Sequence, residues 1–126
     1  MKLILDTSII VDKLRGGDRW DRVLGQLTKE DELYLPTIVV LELFAGTSTR
    51  RPEVAKKIRR LLTFFNILDL TTDIAQRAGE IYRDVTVTLD LPDYIVAASA
   101  LEIGATVITL NQKHFSKIPG IRIYQL

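Results

Sequence analysis

The sequence predicts an α/β fold, a three-layer α/β/α sandwich with a central, mostly parallel sheet. Short runs of strand-like composition, LIL at 3–5, ELYL at 32–35, FFNIL at 64–68 and TVITL at 106–110, recur along 126 residues. Between them lie longer stretches whose apolar residues repeat at helical spacing, giving the order β-α-α-β-α-α-β-α-α-β-β. Strands parted by helices pair in parallel, and the helices then cover both faces of the sheet.

Leu3, Ile4 and Leu5 form a continuous apolar run that stops on Asp6. Continuity rather than alternation marks a strand buried on both faces. Ile9, Ile10, Val11 and Leu14 then follow at helical spacing, so Asp6 stands where a strand hands over to a helix. The carboxyl ends of strands are where open α/β sheets bind ligands. Asp, Thr and Ser are equally good helix caps, so a capping role for Asp6 stands beside a functional one.

Gly16 and Gly17 break this helix, and Asp18 is placed to cap a second one bearing Trp20, Val23, Leu24 and Leu27. A lone Trp among Val and Leu at that spacing reads as core rather than as a base-stacking residue. Glu32 to Leu35 is a second strand, closed by Pro36. From Thr37 the chain runs TIVVLELFAG, with Thr37 as cap, Gly46 as stop and Glu42 the only charge. A helix apolar all round is expected to be buried. Glu42 then needs a cation, whether a metal or an arginine partner, or hydrogen-bond donors to offset its desolvation, or else it stays protonated.

Residues 50–60, RRPEVAKKIRR, hold six basic side chains against one acid. Val54, Ile58, Leu61 and Leu62 give the run a helical apolar face, which leaves the cations toward solvent or along a phosphate backbone. Phe64 to Leu68 is expected as a third strand near the sheet edge. Thr71 or Thr72 begins a helix with Ile74, Ala75, Ala78 and Ile81 inward. Val85 to Leu89 alternates weakly and reads as an extended connection or short edge strand. Asp90 and Pro92 open a further apolar helix that Gly104 ends, placing Asp93 in its first turn, where the helix dipole alone favours an acid. A fourth strand, Thr106 to Leu110, leads to Asn111, and IRIYQL alternates like a closing edge strand.

Composition narrows the chemistry. The length suits one domain over 1–126 that buries roughly two-thirds of its unfolded surface. No apolar run approaches the ~18 residues of a membrane helix, and the N-terminus lacks the form of a signal peptide. A cytoplasmic protein without membrane attachment is expected. With no Cys and one His, thiolate sites and the usual zinc sets are excluded, so a metal would be held by oxygen. The net charge of +1 gives no global nucleic-acid signature. If the first and fourth strands are neighbours, Asp6, Asp93 and Asn111 meet at one cleft.

The same residues carry a family resemblance. LILDTS at 3–8, the Glu within VVLELFAG, the run DYIVAASALEIGATVITLN and the HF at 114–115 resemble the PIN-domain ribonucleases, in particular the VapC-type toxins. The resemblance spans the chain and implies a PIN-like sandwich. It further implies a divalent-metal-dependent ribonuclease, with Asp6, Glu42 and Asp93 as catalytic acids and Asp6 and Asp93 as metal ligands. Mg²⁺, or Mn²⁺ in its place, is the implied cofactor. A small VapB-type antitoxin and a second copy of the chain in a homodimer are the implied protein partners, with RNA as substrate. Asn111 stands at the fourth, usually acidic, position, and His114 where many relatives carry Asp. Crowded carboxylates agree with this independently: they repel one another unless a cation lies among them, and Mg²⁺ favours oxygen ligands and water. Ser8 and Thr109 are candidates to support them. Two other readings remain open: a receiver-like signalling domain, with Asp69 as its arguable acceptor, and a domain that binds RNA or protein without cleaving.

Overall fold

The computed structural model describes residues 1–86 and 89–126. Four parallel strands, β1 (Lys2–Leu5), β2 (Glu32–Pro36), β3 (Asn66–Leu68) and β4 (Thr106–Ile108), lie in the order β3-β2-β1-β4. The helices are α1 (Thr7–Leu14), α2 (Arg19–Gln26), α3 (Thr37–Ala45), α4 (Pro52–Leu62), α5 (Thr72–Asp84), α6 (Leu91–Ile103) and the short α7 (Gln112–Phe115). A 3-10 turn, Thr47–Arg50, joins α3 to α4. The three-layer α/β/α architecture expected from the sequence is the one observed.

Leu3, Ile4 and Leu5 are fully buried although their side chains alternate between sheet faces, so helices cover both sides of β1. Pairing Leu3 with Thr106 and Leu5 with Ile108 makes β1 and β4 neighbours, as the cleft requires. Trp20 is buried against Phe65, with ring centroids 5.7 Å apart, which rules out a role in base stacking. In α6, every residue from Tyr94 to Ala100 is buried. Small Ala97, Ala98 and Ala100 let this helix approach its neighbours closely. Gly104, at φ +69°, ends it in the left-handed conformation that a side chain would strain.

Several local expectations are corrected. Pro36, not Thr37, holds the N-cap position of α3, and no side chain caps that helix. Nor is α3 buried all round: Val39 and Leu43 are inside, but Leu41 is 61% exposed and Glu42 half-buried. Asp18 and Asp90 stand at N-cap positions without side-chain capping bonds, and Asp18 instead pairs with Arg22 at 3.3 Å. Thr71, by contrast, does cap α5, accepting from the Ile74 N–H.

The third strand is shorter than FFNIL suggests, because the N–H groups of Phe64 and Phe65 remain bonded to Leu61 and Leu62 at the end of α4. It does lie at the sheet edge. The C-terminal IRIYQL contributes only one parallel bridge, Val107 to Ile123. Strand β4 is three residues long and two of them face β1, so only Val107 offers its N–H and C=O outward, to Arg122 and Tyr124. Of the segment Val85 to Leu89, residues 87 and 88 lie outside the described residues. The Leu89 N–H donates to the buried Tyr94 hydroxyl at 3.1 Å.

Candidate active site

Asp6 sits at the carboxyl end of the central strand, 4% exposed and in extended conformation. Its N–H continues the ladder to Ile108 O, which fixes the backbone from which the carboxylate projects. Oδ1 accepts from the Ser8 N–H at 3.1 Å and from Ser8 Oγ at 2.5 Å, and Oδ2 accepts from Thr109 Oγ1 at 2.6 Å. Asp6 therefore caps α1, and the same carboxylate lies within electrostatic reach of Asp93. Both supporting hydroxyls are themselves anchored. Ser8 Oγ accepts from the Leu110 N–H and Thr109 Oγ1 from the Asn111 N–H, so the loop after β4 is tied to Asp6 through two relays. Burial pushes the Asp6 carboxyl above its ordinary pKa, against the pull of the Ser8 and Thr109 hydroxyls and the Ser8 and Ile9 N–H groups.

Glu42 reaches the cleft from the middle of α3. Thr7 Oγ1 donates to its Oε1 at 2.6 Å, an interaction that sequence reasoning missed by treating Thr7 only as a helix-start residue. The signal was the polar pair Thr7-Ser8 after Asp6, where successive positions on a helix point to different neighbours. No arginine pairs with Glu42 among the described residues, so the expected alternative of a buried Arg ion pair is not what holds it.

Asp93 lies in the first turn of α6, its side chain 16% exposed. The one ion-pairing group near it among the described residues is His114, whose Nδ1 lies 4.0 Å from Oδ2. Its pKa is pushed up to about 6, first by burial and then by the negative charges of Asp6 and Asp90, with Glu42 adding a smaller push that His114 opposes. The structure thus brings Asp6, Glu42 and Asp93 within electrostatic reach at one end of the sheet. Asn111 heads α7 at the rim, with no side-chain capping bond, beside Ser8 in a cavity of about 620 Å³. Asp90 acts on Asp93 by charge, a contribution that its reading as a cap did not contain.

Among the described residues, no three acidic or imidazole side chains converge tightly enough to form a complete ligand set unaided. Mg²⁺ does not demand one, since it commonly takes one or two carboxylates and keeps several waters. The oxygen donors of Asp6 and Asp93, and the unrelieved charge around Asp93, fit a hard divalent cation.

An architecture of parallel strands with acids at the carboxyl ends of the sheet is shared by a known class. The PIN domain family profile matches residues 3–121, and the chain belongs to that family. Ribonuclease VapC19 of Mycobacterium tuberculosis is 35% identical over 97% of this chain and 98% of its own length. Ribonuclease VapC1 of Rickettsia felis is 28% identical over 98% of this chain and 95% of its own. Among solved structures, VapBC2 from Rickettsia felis, bound to a DNA fragment from its promoter, superposes with a TM-score of 0.90. That likeness covers 100% of this chain and 99% of the other at 24% identity, and it speaks to the fold.

Proposed function

We propose that this protein is a ribonuclease toxin of the VapC type, cleaving RNA phosphodiester bonds with Mg²⁺ or Mn²⁺ and restrained by a VapB-type antitoxin. The observation that carries the reading is Asp93, a largely buried carboxylate in the first turn of α6 whose charge is opposed by Asp6, Asp90 and Glu42 and which, among the described residues, has only His114 near it as an ion-pairing group. Such surplus negative charge suits a cation and would repel a phosphate without one. Kinship with proteins named ribonuclease VapC supplies the substrate class. A receiver-like domain is not favoured by either observation.

In this reading Asp6 and Asp93 would hold the ion, which when bound would acidify water and offset charge on the phosphoryl and leaving oxygens. The remaining work belongs to the chain. Ser8 and Thr109 keep the Asp6 carboxylate in one orientation. Thr7 fixes one Glu42 oxygen and leaves the other, unbonded among the described residues, to orient an attacking water and accept its proton. His114 moderates the charge on Asp93. As implied for its type, the protein pairs with itself as a homodimer. No helix among the described residues is long and apolar enough to cross a membrane.

The test is cleavage of single-stranded and structured RNA in Mg²⁺, Mn²⁺ and chelator. Asp6→Asn, Asp93→Asn and Glu42→Gln should each reduce cleavage by at least ~100-fold. Full activity in chelator, or in both Asp variants, sinks the proposal. Co-purification with the product of an adjacent short reading frame tests the antitoxin.

A further inference from the structure

Beside the acids, a cleft of about 660 Å³ runs between α1, α3 and α4 and is bordered by Arg15, Glu42, Arg51 and Lys57. Arg15, just past the C-terminus of α1, also borders the cavity that holds Ser8 and Asn111, so it links the two. Among the described residues, five of the Lys and Arg side chains are engaged by carboxylates, whereas many others, those of α4 included, are not, and among the unengaged ones Arg15, Arg51 and Lys57 are set apart by bordering this cleft. Lys13, Arg19, Arg22, Arg77 and Arg83 all pair with carboxylates within 3.3 Å. Arg15, Arg51 and Lys57 have no ion pair or side-chain hydrogen bond among the described residues, and all three are exposed. The basic run of α4 is divided in the same way, because Lys57 borders the cleft, whereas Lys56, Arg59 and Arg60 do not.

We propose that Arg15, Arg51 and Lys57 are positioning residues that hold the RNA backbone phosphates flanking the cleaved linkage, drawing the strand past Glu42. This rests on the ribonuclease reading above. A phosphodiester at Asp6 and Asp93 is part of a polyanion whose neighbouring phosphates must go somewhere, and Arg15, Arg51 and Lys57 border the cleft that Glu42 also borders. The floor of the cleft is aliphatic, with Val11, Leu14, Val54 and Ile58 and no aromatic ring. Base stacking therefore has no platform there, and recognition falls to the backbone and tolerates sequence. An acidic peptide would satisfy the same cations, but would gain nothing from a cleft that Glu42 borders.

The decisive experiment compares two triple variants of the full chain, Arg15→Gln/Arg51→Gln/Lys57→Gln and Lys56→Gln/Arg59→Gln/Arg60→Gln. Binding of a mixed-sequence single-stranded RNA is measured against salt in chelator, and cleavage in Mn²⁺. The cleft variant should lower the slope of log affinity against log salt by about 2, at about 0.7 per lost phosphate contact, and raise KM for RNA with little change in kcat. The second variant should keep the parent slope. Hydrolysis of bis(p-nitrophenyl) phosphate, which has no flanking phosphate, should be equal in parent and both variants. An unchanged slope in a cleft variant that still cleaves RNA overturns the assignment and leaves the ribonuclease reading intact. Equal slope losses in the two variants, or a loss of bis(p-nitrophenyl) phosphate hydrolysis in the cleft variant, also overturn it. So does displacement of RNA by poly-glutamate as effective as by unlabelled RNA, which would make the cleft a peptide site. A parent that cleaves no RNA in Mn²⁺ removes the ribonuclease reading and this inference together.

Discussion

Asp6 and Asp93 are two carboxylates in one cleft that the fold treats in opposite ways. Asp6 is the more deeply buried, yet three hydrogen bonds converge on it and each bonded hydroxyl is itself held by a backbone N–H. Asp93 is nearer the surface, has no such donors among the described residues, and approaches His114 only to 4.0 Å. Burial raises both pKa values, but at Asp93 the neighbouring acids add to it, whereas at Asp6 the hydroxyls oppose it. The depth of a carboxylate thus says less about its readiness for a cation than the donors around it. One acid is anchored by the protein, and the other carries charge that the protein leaves unmatched.

The sharpest way to break this contrast is to take a donor from Asp6. Thr109→Val keeps the shape of the side chain but removes the hydroxyl from Oδ2, and also the acceptor of the Asn111 N–H. Leaving a buried carboxylate oxygen unpaired should destabilise the protein by about 1–3 kcal/mol. Loss of orientation should weaken metal-dependent cleavage by roughly 10- to 100-fold. Denaturant melts and a Mn²⁺ titration of cleavage measure the two effects. Parent-like values in both would mean that Asp6 does not depend on its hydroxyls.

A smaller effect is expected at the rim. Asn111→Asp adds a carboxylate near Ser8, where the resemblance to PIN domains places a fourth acid. It should tighten divalent-ion binding and change activity more at low than at high metal concentration. Coincident metal titrations of variant and parent would place Asn111 outside the ion's surroundings.

The expectations divide according to the range of the forces behind them. The strand runs, their parallel order and the burial of α6 were legible because continuous apolar stretches have few alternatives to a covered sheet. The position of Asp6 was legible for the same reason, as the residue that ends such a run. What escaped depends on partners distant in sequence. The bond from Thr7 to Glu42 spans 35 residues and that from Thr109 to Asp6 spans 103, and neither leaves a periodic trace. The misreading of α3 has a similar origin: its composition resembles that of α6, but only Val39 and Leu43 are buried, while Ile38, Val40 and Phe44 pack against the core part-exposed. Helix α7 and the 3-10 turn are too short to show a period, and the division of the basic run is decided by which side of α4 borders the cleft.

The last prediction sets the unmatched charge of Asp93 against its removal. The folded-state pKa, at about 6, lies above the ordinary 3.8, so near pH 4 and below the folded protein holds a proton there at little cost. As pH rises from about 4 to about 6, the unfolded chain releases that proton more readily, and stability falls; the full penalty is present above about 6. Two pKa units correspond to about 2.7 kcal/mol, and screening in an open cleft reduces the expected effect to about 1 kcal/mol. In chelator at pH 7.5, Asp93→Asn should therefore melt higher than the parent, less any lost helix-dipole contribution of about 0.3–1 kcal/mol, and the gain should vanish near pH 4. Excess Mn²⁺ should reverse the ranking at pH 7.5, because a ligand at 100 times its dissociation constant stabilises the folded state by about 2.7 kcal/mol and the variant binds it poorly. Thermal melts of both proteins under these three conditions decide it. A variant that is less stable in chelator and gains as much from Mn²⁺ as the parent would make Asp93 a helix-start residue, and its contrast with Asp6 would reduce to one of burial alone.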